Sequence, residues 1–222
     1  MGLMSILKKL REQERQMRIL ILGLDNAGKT TIVKKLKNQP LDEISPTLGF
    51  NIDTIYYEKE SKENQSPNGN NTFKVNFWDI GGQKSIRSYW RNYFENTDGL
   101  IWVIDSADTD RLEDCKRELN LLLGEEKLAG ASLLILANKS DLDNALSVND
   151  IAQFLGLERL SQTTEKSLLS NQATNELIFE EKSSKTTRHI HVERCSAITG
   201  EGIAKGIDWI VDDIANRIFL ME

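Results

Sequence analysis

The sequence predicts an α/β fold: a three-layer sandwich in which a mostly parallel, six-stranded sheet carries helices on both faces. Three observations predict it. Apolar runs of strand length alternate with amphipathic helical segments, the order that builds strand–helix–strand units. A glycine-containing turn, Gly23–Thr30, stands between a buried strand and a helix. The chain has 222 residues, enough for one such domain with a sizeable core.

Each element follows from its own pattern. Residues 1–16 read as an N-terminal amphipathic helix, with Leu3, Ile6, Leu7 and Leu10 on one face and Lys8, Lys9 and Arg11 off it. The main domain is expected over 17–222. Met17–Leu22 is a buried strand ending at Gly23, and a helix over 28–38 follows. Phe50, Ile52, Thr54 and Tyr56 alternate with more polar residues, as do Phe73, Val75 and Phe77, so both runs read as strands. Gly99–Asp105 and Ser132–Asn138 are further buried strands, and a last strand precedes Cys195. Amphipathic helices are expected over 110–127 and 203–219. Two polar stretches, 59–72 and 161–187, read as inserted mobile loops, because loops beyond about 12–15 residues are uncommon in compact domains. The second carries one apolar cluster, Leu177–Phe179.

Composition removes several function classes. Lys and Arg total 28 against 34 Asp and Glu, a net charge of −6. Nothing there offsets nucleic-acid phosphate, so no nucleic-acid partner is expected. Two cysteines, Cys115 and Cys195, build neither a disulfide framework nor a four-thiolate zinc site. They read as free thiols in a reducing compartment. His189 and His191 share one face of a strand and make a poor metal site by themselves. No apolar run approaches the roughly 20 residues of a membrane helix. The opening Met1–Lys9 lacks a signal peptide's apolar core and cleavage site. A cytoplasmic, monomeric chain with at most peripheral membrane contact is expected, possessing no spanning segment.

The chemistry lies in a set of short motifs. Gly23-Leu24-Asp25-Asn26-Ala27-Gly28-Lys29-Thr30 matches G-x-x-x-x-G-K-[ST] between a strand and a helix. Glycine lets the backbone curl so that successive N–H groups face a polyphosphate, and the helix start adds its positive dipole end. Lys29 is expected on the β- and γ-phosphates and the Thr30 hydroxyl on Mg²⁺, with Thr31 completing the phosphate-binding run. Trp78-Asp79-Ile80-Gly81-Gly82-Gln83 closes a strand. There Asp79 is placed to hold Mg²⁺ through water, Gly82 to offer an N–H to the γ-phosphate, and Gln83 to orient the attacking water. Thr47, in the loop Ser45-Pro46-Thr47, is placed to complete the Mg²⁺ shell and sense the γ-phosphate.

Asn138-Lys139-Ser140-Asp141 follows a buried strand. A carboxylate accepts two hydrogen bonds from guanine N1–H and the 2-amino group, and adenine offers no such pair. Asp141 therefore decides the base, while Lys139 lays its stem along the base plane. In Cys195-Ser196-Ala197, the Ala197 N–H is expected to cap the guanine O6 and Ser196 to line the same site.

Taken in order, G-L-D-N-A-G-K-T, S-P-T-L-G-F-N, W-D-I-G-G-Q, N-K-S-D and C-S-A resemble the ADP-ribosylation-factor-like small GTPases over nearly all of the chain except the two insertions. Within the family, Ser85–Asp108 and Asp208–Phe219 are most similar to the type-two branch, with the type-three branch beside it. The resemblance implies a Ras-like P-loop domain that binds GTP or GDP with Mg²⁺ and binds effectors in its GTP state. Lys29 and Gln83 would be its catalytic residues. Thr47 would belong to the first switch loop and Gly81–Tyr93 to the second. The exposed hydrophobic effector surface would fall on Phe50, Trp78 and Tyr93. Type-two partners are tubulin folding cofactors and lipid-cargo carriers, besides exchange and GTPase-activating proteins. That places the chain in tubulin folding, microtubule biology and lipidated-cargo release, in the cytoplasm with a microtubule-associated fraction. The type-three branch would instead imply ciliary cargo release.

No arginine occurs between Arg18 and Arg87, so none is expected near Thr47 as a finger in cis. Hydrolysis would be slow without a partner, since a finger in trans is worth about 10³–10⁵-fold. Asp25, a carboxylate beside the phosphates, should not help. Gly2 invites acylation, but the motif wants Ser or Thr at position 6 and Ile6 stands there. In the family, the N-terminal helix is expelled when the strand pair between the switches slips register, and the 59–72 insertion sits at the tip of that pair. Two other readings of the motifs are an ATP-using P-loop enzyme, against which Asp141 speaks, and a GDP-locked scaffold, against which Gln83 speaks.

Overall fold

The computed structural model describes residues 14–58, 72–157, 177–182 and 187–218. Among the described residues, seven strands and four helices run in the order β1 (Gln16–Leu22), α1 (Lys29–Leu36), β2 (Phe50–Glu58), β3 (Thr72–Ile80), β4 (Gly99–Asp105), α2 (Leu112–Leu123), β5 (Ser132–Asn138), α3 (Val148–Leu155), β6 (Leu177–Lys182), β7 (Thr187–Arg194) and α4 (Ile203–Ile218). The sheet order is β2-β3-β1-β4-β5-β7-β6. The five central strands are parallel, and each outermost strand runs antiparallel to its neighbour.

Side-chain alternation splits the interior into two cores. Leu20 and Leu22 of β1 face one way, with Trp102, Leu119 of α2 and Ile151 of α3. Ile19 and Ile21 face the other, with Val33 of α1 and Ile207, Ile210 and Ile214 of α4. β1, β4 and β5 are therefore apolar on both faces, as strands covered by helices on both sides must be. The expected six-stranded, mostly parallel sheet is present.

A seventh strand is added to it. The stretch 161–187 was expected to be loop throughout, yet Leu177–Lys182 pairs antiparallel with β7, from Leu177 opposite Val192 to Lys182 opposite Thr187. The cluster Leu177-Ile178-Phe179 has high strand propensity, and the outer edge of β7 supplies the hydrogen-bonding partner. The rest of that stretch lies outside the described residues except Thr187, which opens β7. So do the helix expected over 1–16, apart from Glu14–Gln16, and the insertion 59–72, apart from Thr72 at the start of β3.

Two helical features depart from the expected pattern. The helix expected over 110–127 is interrupted: 3-10 turns at Thr109–Arg111 and Glu126–Leu128 flank α2. Helix α3 was not anticipated. It is eight residues long and carries a full capping box, with Ser147 accepting from the Asp150 N–H and the Asp150 carboxylate answering at the Ser147 backbone. Ser147-Val148-Asn149-Asp150 ahead of Ile151, Ala152 and Leu155 was the available signal.

Both cysteines are buried and free. The two histidines each have a carboxylate partner that spacing did not reveal: His189 Nδ1 lies 2.5 Å from Asp213 and His191 Nε2 lies 3.0 Å from Glu193. No group of three metal-ligating side chains forms among the described residues. Nor is any described helix long and apolar enough to cross a membrane.

Candidate functional site

The chain leaves β1 at the point where strand order reverses. β3 lies on one side of β1 and β4 on the other, so the crossovers diverge and open a crevice at the carboxyl ends of the strands. The turn Gly23–Gly28 fills that crevice. Gly23 has φ 147°, and a Cβ there would sit 2.3 Å from the Val103 carbonyl oxygen. Gly28 has φ 94°, and a Cβ there would sit 2.3 Å from the Asn138 side-chain nitrogen. Neither position admits another residue, for reasons of both conformation and space.

Lys29, the first residue of α1, folds back over the turn and donates to the Gly23 carbonyl at 3.0 Å and the Leu24 carbonyl at 2.7 Å. Burial lowers its ammonium to about 8, against the raising influence of Asp79 and Asp25. Thr30 donates its hydroxyl proton to Asp79 Oδ2 at 2.6 Å. Its one proton being spent, Thr30 accepts from Thr47, whose Oγ1 lies 2.9 Å away. Burial pushes the Asp79 carboxyl up, opposed by the Thr30 hydrogen bond, the Lys29 charge and Asn51. Its second oxygen, Oδ1, is buried with no hydrogen-bond partner among the described residues. Two hydroxyls and a carboxylate with an unspent oxygen suit a hard cation that keeps several waters. Lys29, Thr30, Thr31, Thr47, Gly82 and Gln83 line one cavity of about 240 Å³. Among the described residues, no arginine lines it.

At the other end of the crevice, Asn138 is a brace. Its amide donates to the Ala27 carbonyl at 2.8 Å and its oxygen accepts from the Ala197 N–H at 2.9 Å. The Ala197 amide, expected at the guanine O6, donates to Asn138 and so belongs to the brace. Lys139 adopts φ 62° and its ammonium pairs with Asp105 at 2.6 Å, a partner that no motif signalled. Asp141 is exposed, and a hydrogen bond from the buried Ser196 hydroxyl, its main influence, holds the carboxyl below the usual range. It is therefore an ionised acceptor at the open side of the crevice.

The three aromatics expected to form one surface do so. Phe50 stacks on Trp78 at 5.7 Å, and Tyr93 lies 5.2 Å from Phe50 and 6.0 Å from Trp78. Phe50 is 45% exposed, while Trp78 and Tyr93 are half-buried and pack against the core, so the cluster sits where core meets surface. Arg18 supports it from beneath, 4.0 Å over the Trp78 ring and donating to the Tyr93 carbonyl at 3.0 Å. Asp25, whose carboxylate looked out of place, has partners distant in sequence: Arg87 at 3.5 Å and Arg111 at 3.3 Å. Sequence reading missed both, since nothing local ties them to the turn.

Comparison with known proteins gives one consistent result. The ADP-ribosylation factor family profile matches residues 3–214. Proteins named ADP-ribosylation factor-like protein 2 are 49% identical in Arabidopsis thaliana, 50% in Drosophila melanogaster and 47% in Dictyostelium discoideum, each over the whole of both chains. Among solved structures, the Arl6 (BBS3) small GTPase of Trypanosoma brucei, bound to the nucleotide analogue GppNp, shares the fold with a TM-score of 0.65. It is 24% identical, and the match covers 90% of this chain and 98% of that one.

Proposed function

This chain belongs to the ADP-ribosylation factor family of small GTPases, which hydrolyse GTP, and from that premise we propose that it is a type-two switch whose effector surface is assembled by the γ-phosphate. One observation carries the reading. Thr30, Thr47 and Asp79 come from three separate elements and are joined by hydrogen bonds at the mouth of the phosphate cavity. Thr47 stands three residues before Phe50, and the Gly49 carbonyl between them accepts from the Gly81 N–H at 2.9 Å. A γ-phosphate that fixes Thr47 and Gly82 thereby also fixes the loop that delivers Phe50 to Trp78 and Tyr93. Its loss frees all three.

The roles follow from the chemistry of the side chains. Lys29 neutralises charge on the β- and γ-phosphates. Gln83 orients the attacking water. Asn138 and Ser196 brace the base site, and Asp141 selects guanine by accepting from N1–H and the 2-amino group. Thr30, Thr47 and, through water, Asp79 would hold Mg²⁺, which when bound neutralises charge between the β- and γ-phosphates. With no arginine among the described residues that line the cavity, turnover by the chain alone is slow and an activating protein raises it.

By likeness to the type-two relatives, the effectors are tubulin folding cofactors and lipid-cargo carriers, met in the cytoplasm and at microtubules. The test is capture from cell extract on the chain loaded with GDP or with a non-hydrolysable GTP analogue. Retention of tubulin cofactors or lipid-cargo carriers on the GTP form alone is the expected result. The same proteins on both forms would overturn the switch.

A further inference from the structure

Arg87 is half-buried, an unusual setting for a surface-loop arginine. It follows Gln83 by four residues in the 3-10 segment Arg87–Tyr93, and its side chain is only 10% exposed. Each of its three guanidinium nitrogens has a different partner. Nε donates to the Gly82 carbonyl at 2.9 Å. One terminal nitrogen meets Glu118 of α2 at 3.2 Å, and the other meets Asp25 of the phosphate loop at 3.5 Å. Asp25 is shared with Arg111, which also reaches the Asp25 backbone carbonyl at 3.3 Å.

The Gly82 carbonyl belongs to the peptide whose N–H is that of Gln83. Arg87 thus fixes the plane from which Gln83 projects. The Gln83 carbonyl is held as well, accepting from the Ile86 N–H at 2.8 Å and the Arg87 N–H at 3.3 Å. Meanwhile Gly82 lies against the phosphate loop so closely that a Cβ on it would sit 2.3 Å from the Gly23 carbonyl oxygen. Arg87 does not line the phosphate cavity, so it is not a finger on the transferred phosphate. It works from behind.

We propose that Arg87 is a positioning residue for GTP hydrolysis, fastening the Gln83-bearing turn to the phosphate loop by bridging the Gly82 carbonyl, Asp25 and Glu118. This rests on the reading of the crevice as the GTP site. It also gives Asp25 a purpose: it is the anchor on the phosphate loop, its charge answered by two arginines before any phosphate arrives. A planar fork with three separate donors is needed for the bridge, and a lysine ammonium, a compact point charge, cannot span the same three partners.

The experiment compares the wild-type chain with Arg87→Gln, Arg87→Lys and Glu118→Gln, with two readouts. One is dissociation of a fluorescent GDP and the other is the single-turnover rate of GTP cleavage, both with Mg²⁺. Arg87→Gln is expected to cleave GTP about tenfold more slowly, the worth of one charge-assisted hydrogen bond, while GDP release changes by less than about threefold on the same reasoning. Arg87→Lys should keep GDP release unchanged and leave most of the rate loss in place. Glu118→Gln, which retains the arginine and removes one anchor, should lose rate in the same direction with GDP release intact. A wild-type rate in Arg87→Gln, or full rescue by lysine, would overturn the positioning role. Equal losses in GDP retention and cleavage across the variants would also overturn it, because general loosening moves both. Failure of the wild-type chain to bind or cleave GTP would instead overturn the reading of the crevice, so the two failures are distinct.

Discussion

Replacing Gly82 by alanine separates hydrolysis from binding in a way the geometry makes quantitative. A Cβ at this position would lie 2.3 Å from the Gly23 carbonyl oxygen, 2.5 Å from the Leu24 carbonyl carbon and 2.6 Å from the Asp25 nitrogen. All three obstacles are backbone of the phosphate loop, which cannot rotate away. Real Cβ contacts essentially never fall under 3.0 Å, so the turn carrying Gln83 must lift by roughly 0.7 Å. Misplacing a reacting group by about 1 Å costs roughly 100-fold in rate. Gly82→Ala should therefore cleave GTP some ten- to 100-fold more slowly on that scale. On the proposed reading GDP meets the loop from the side of Lys29 and Thr30, so its release should change little. The assay is single-turnover cleavage of preloaded GTP, alongside release of fluorescent GDP. A cleavage rate within about threefold of wild type would refute the claim that close apposition of Gly82 to the phosphate loop positions the attacking water.

Three further outcomes are expected. Burial holds the Lys29 ammonium at about 8 in the nucleotide-free chain, and bound phosphates favour its charged form. GDP binding should then take up a proton above that pH and weaken by up to about tenfold per pH unit; calorimetry in buffers of different ionisation enthalpy reads the proton directly, and pH-independent affinity from 7 to 9 would contradict it. Burial raises the Asp213 carboxyl, but hydrogen bonds from His189 and Ser132 and the charges of His189 and Arg217 outweigh it and leave the group below its usual range. Its stabilisation is accordingly present above the unfolded carboxyl's range near 4 and is lost as pH falls through the lower folded value. Asp213→Asn should cost about 1–3 kcal/mol at neutral pH and flatten the acid limb of urea-denaturation midpoints; an unchanged midpoint at pH 7 would count against the network. Burial pushes the Cys115 thiol up to about 11 and the Cys195 thiol up to about 12. Neither should react with a disulfide reagent at pH 8 faster than the chain unfolds, and labelling within seconds under native conditions would show the cores to be open.

What the sequence disclosed and what it withheld divide along one physical line. Phosphate recognition is local: consecutive N–H groups, a lysine and a hydroxyl must fall within one turn, so Gly23–Thr30 advertises itself in eight letters. The strands of the parallel centre were equally plain, because burial on both faces forces unbroken apolar runs such as Leu133–Ala137. Edge and rim features lack that constraint. β6 pairs with β7 at the sheet edge, and its flanking sequence is polar, so only the short apolar cluster Leu177–Phe179 hinted at it. Helix α3 is too short for a periodic stripe and announced itself only through Ser147 and Asp150.

The same division explains why the partners of Asp25 were not legible in the sequence. A carboxylate in a phosphate loop is unfavourable if it stands alone, and within its own motif it does. The residues that answer it, Arg87 and Arg111, lie far along the chain and reach it from the segment after Gln83 and from the 3-10 turn ahead of α2. Likewise the Ala197 amide, free by its position in C-S-A, is already engaged by Asn138 once β5 and β7 lie side by side. Motifs therefore marked the proposed phosphate and base sites, while the tertiary fold shows which of their groups are engaged with one another. Asp79 Oδ1 has no partner among the described residues and the Asp141 carboxylate is exposed with acceptor capacity beyond its Ser196 bond, whereas Arg87, Asn138 and the Ala197 amide are tied to other parts of the site. Variants in the second set should chiefly disturb geometry, and variants in the first should remove chemistry.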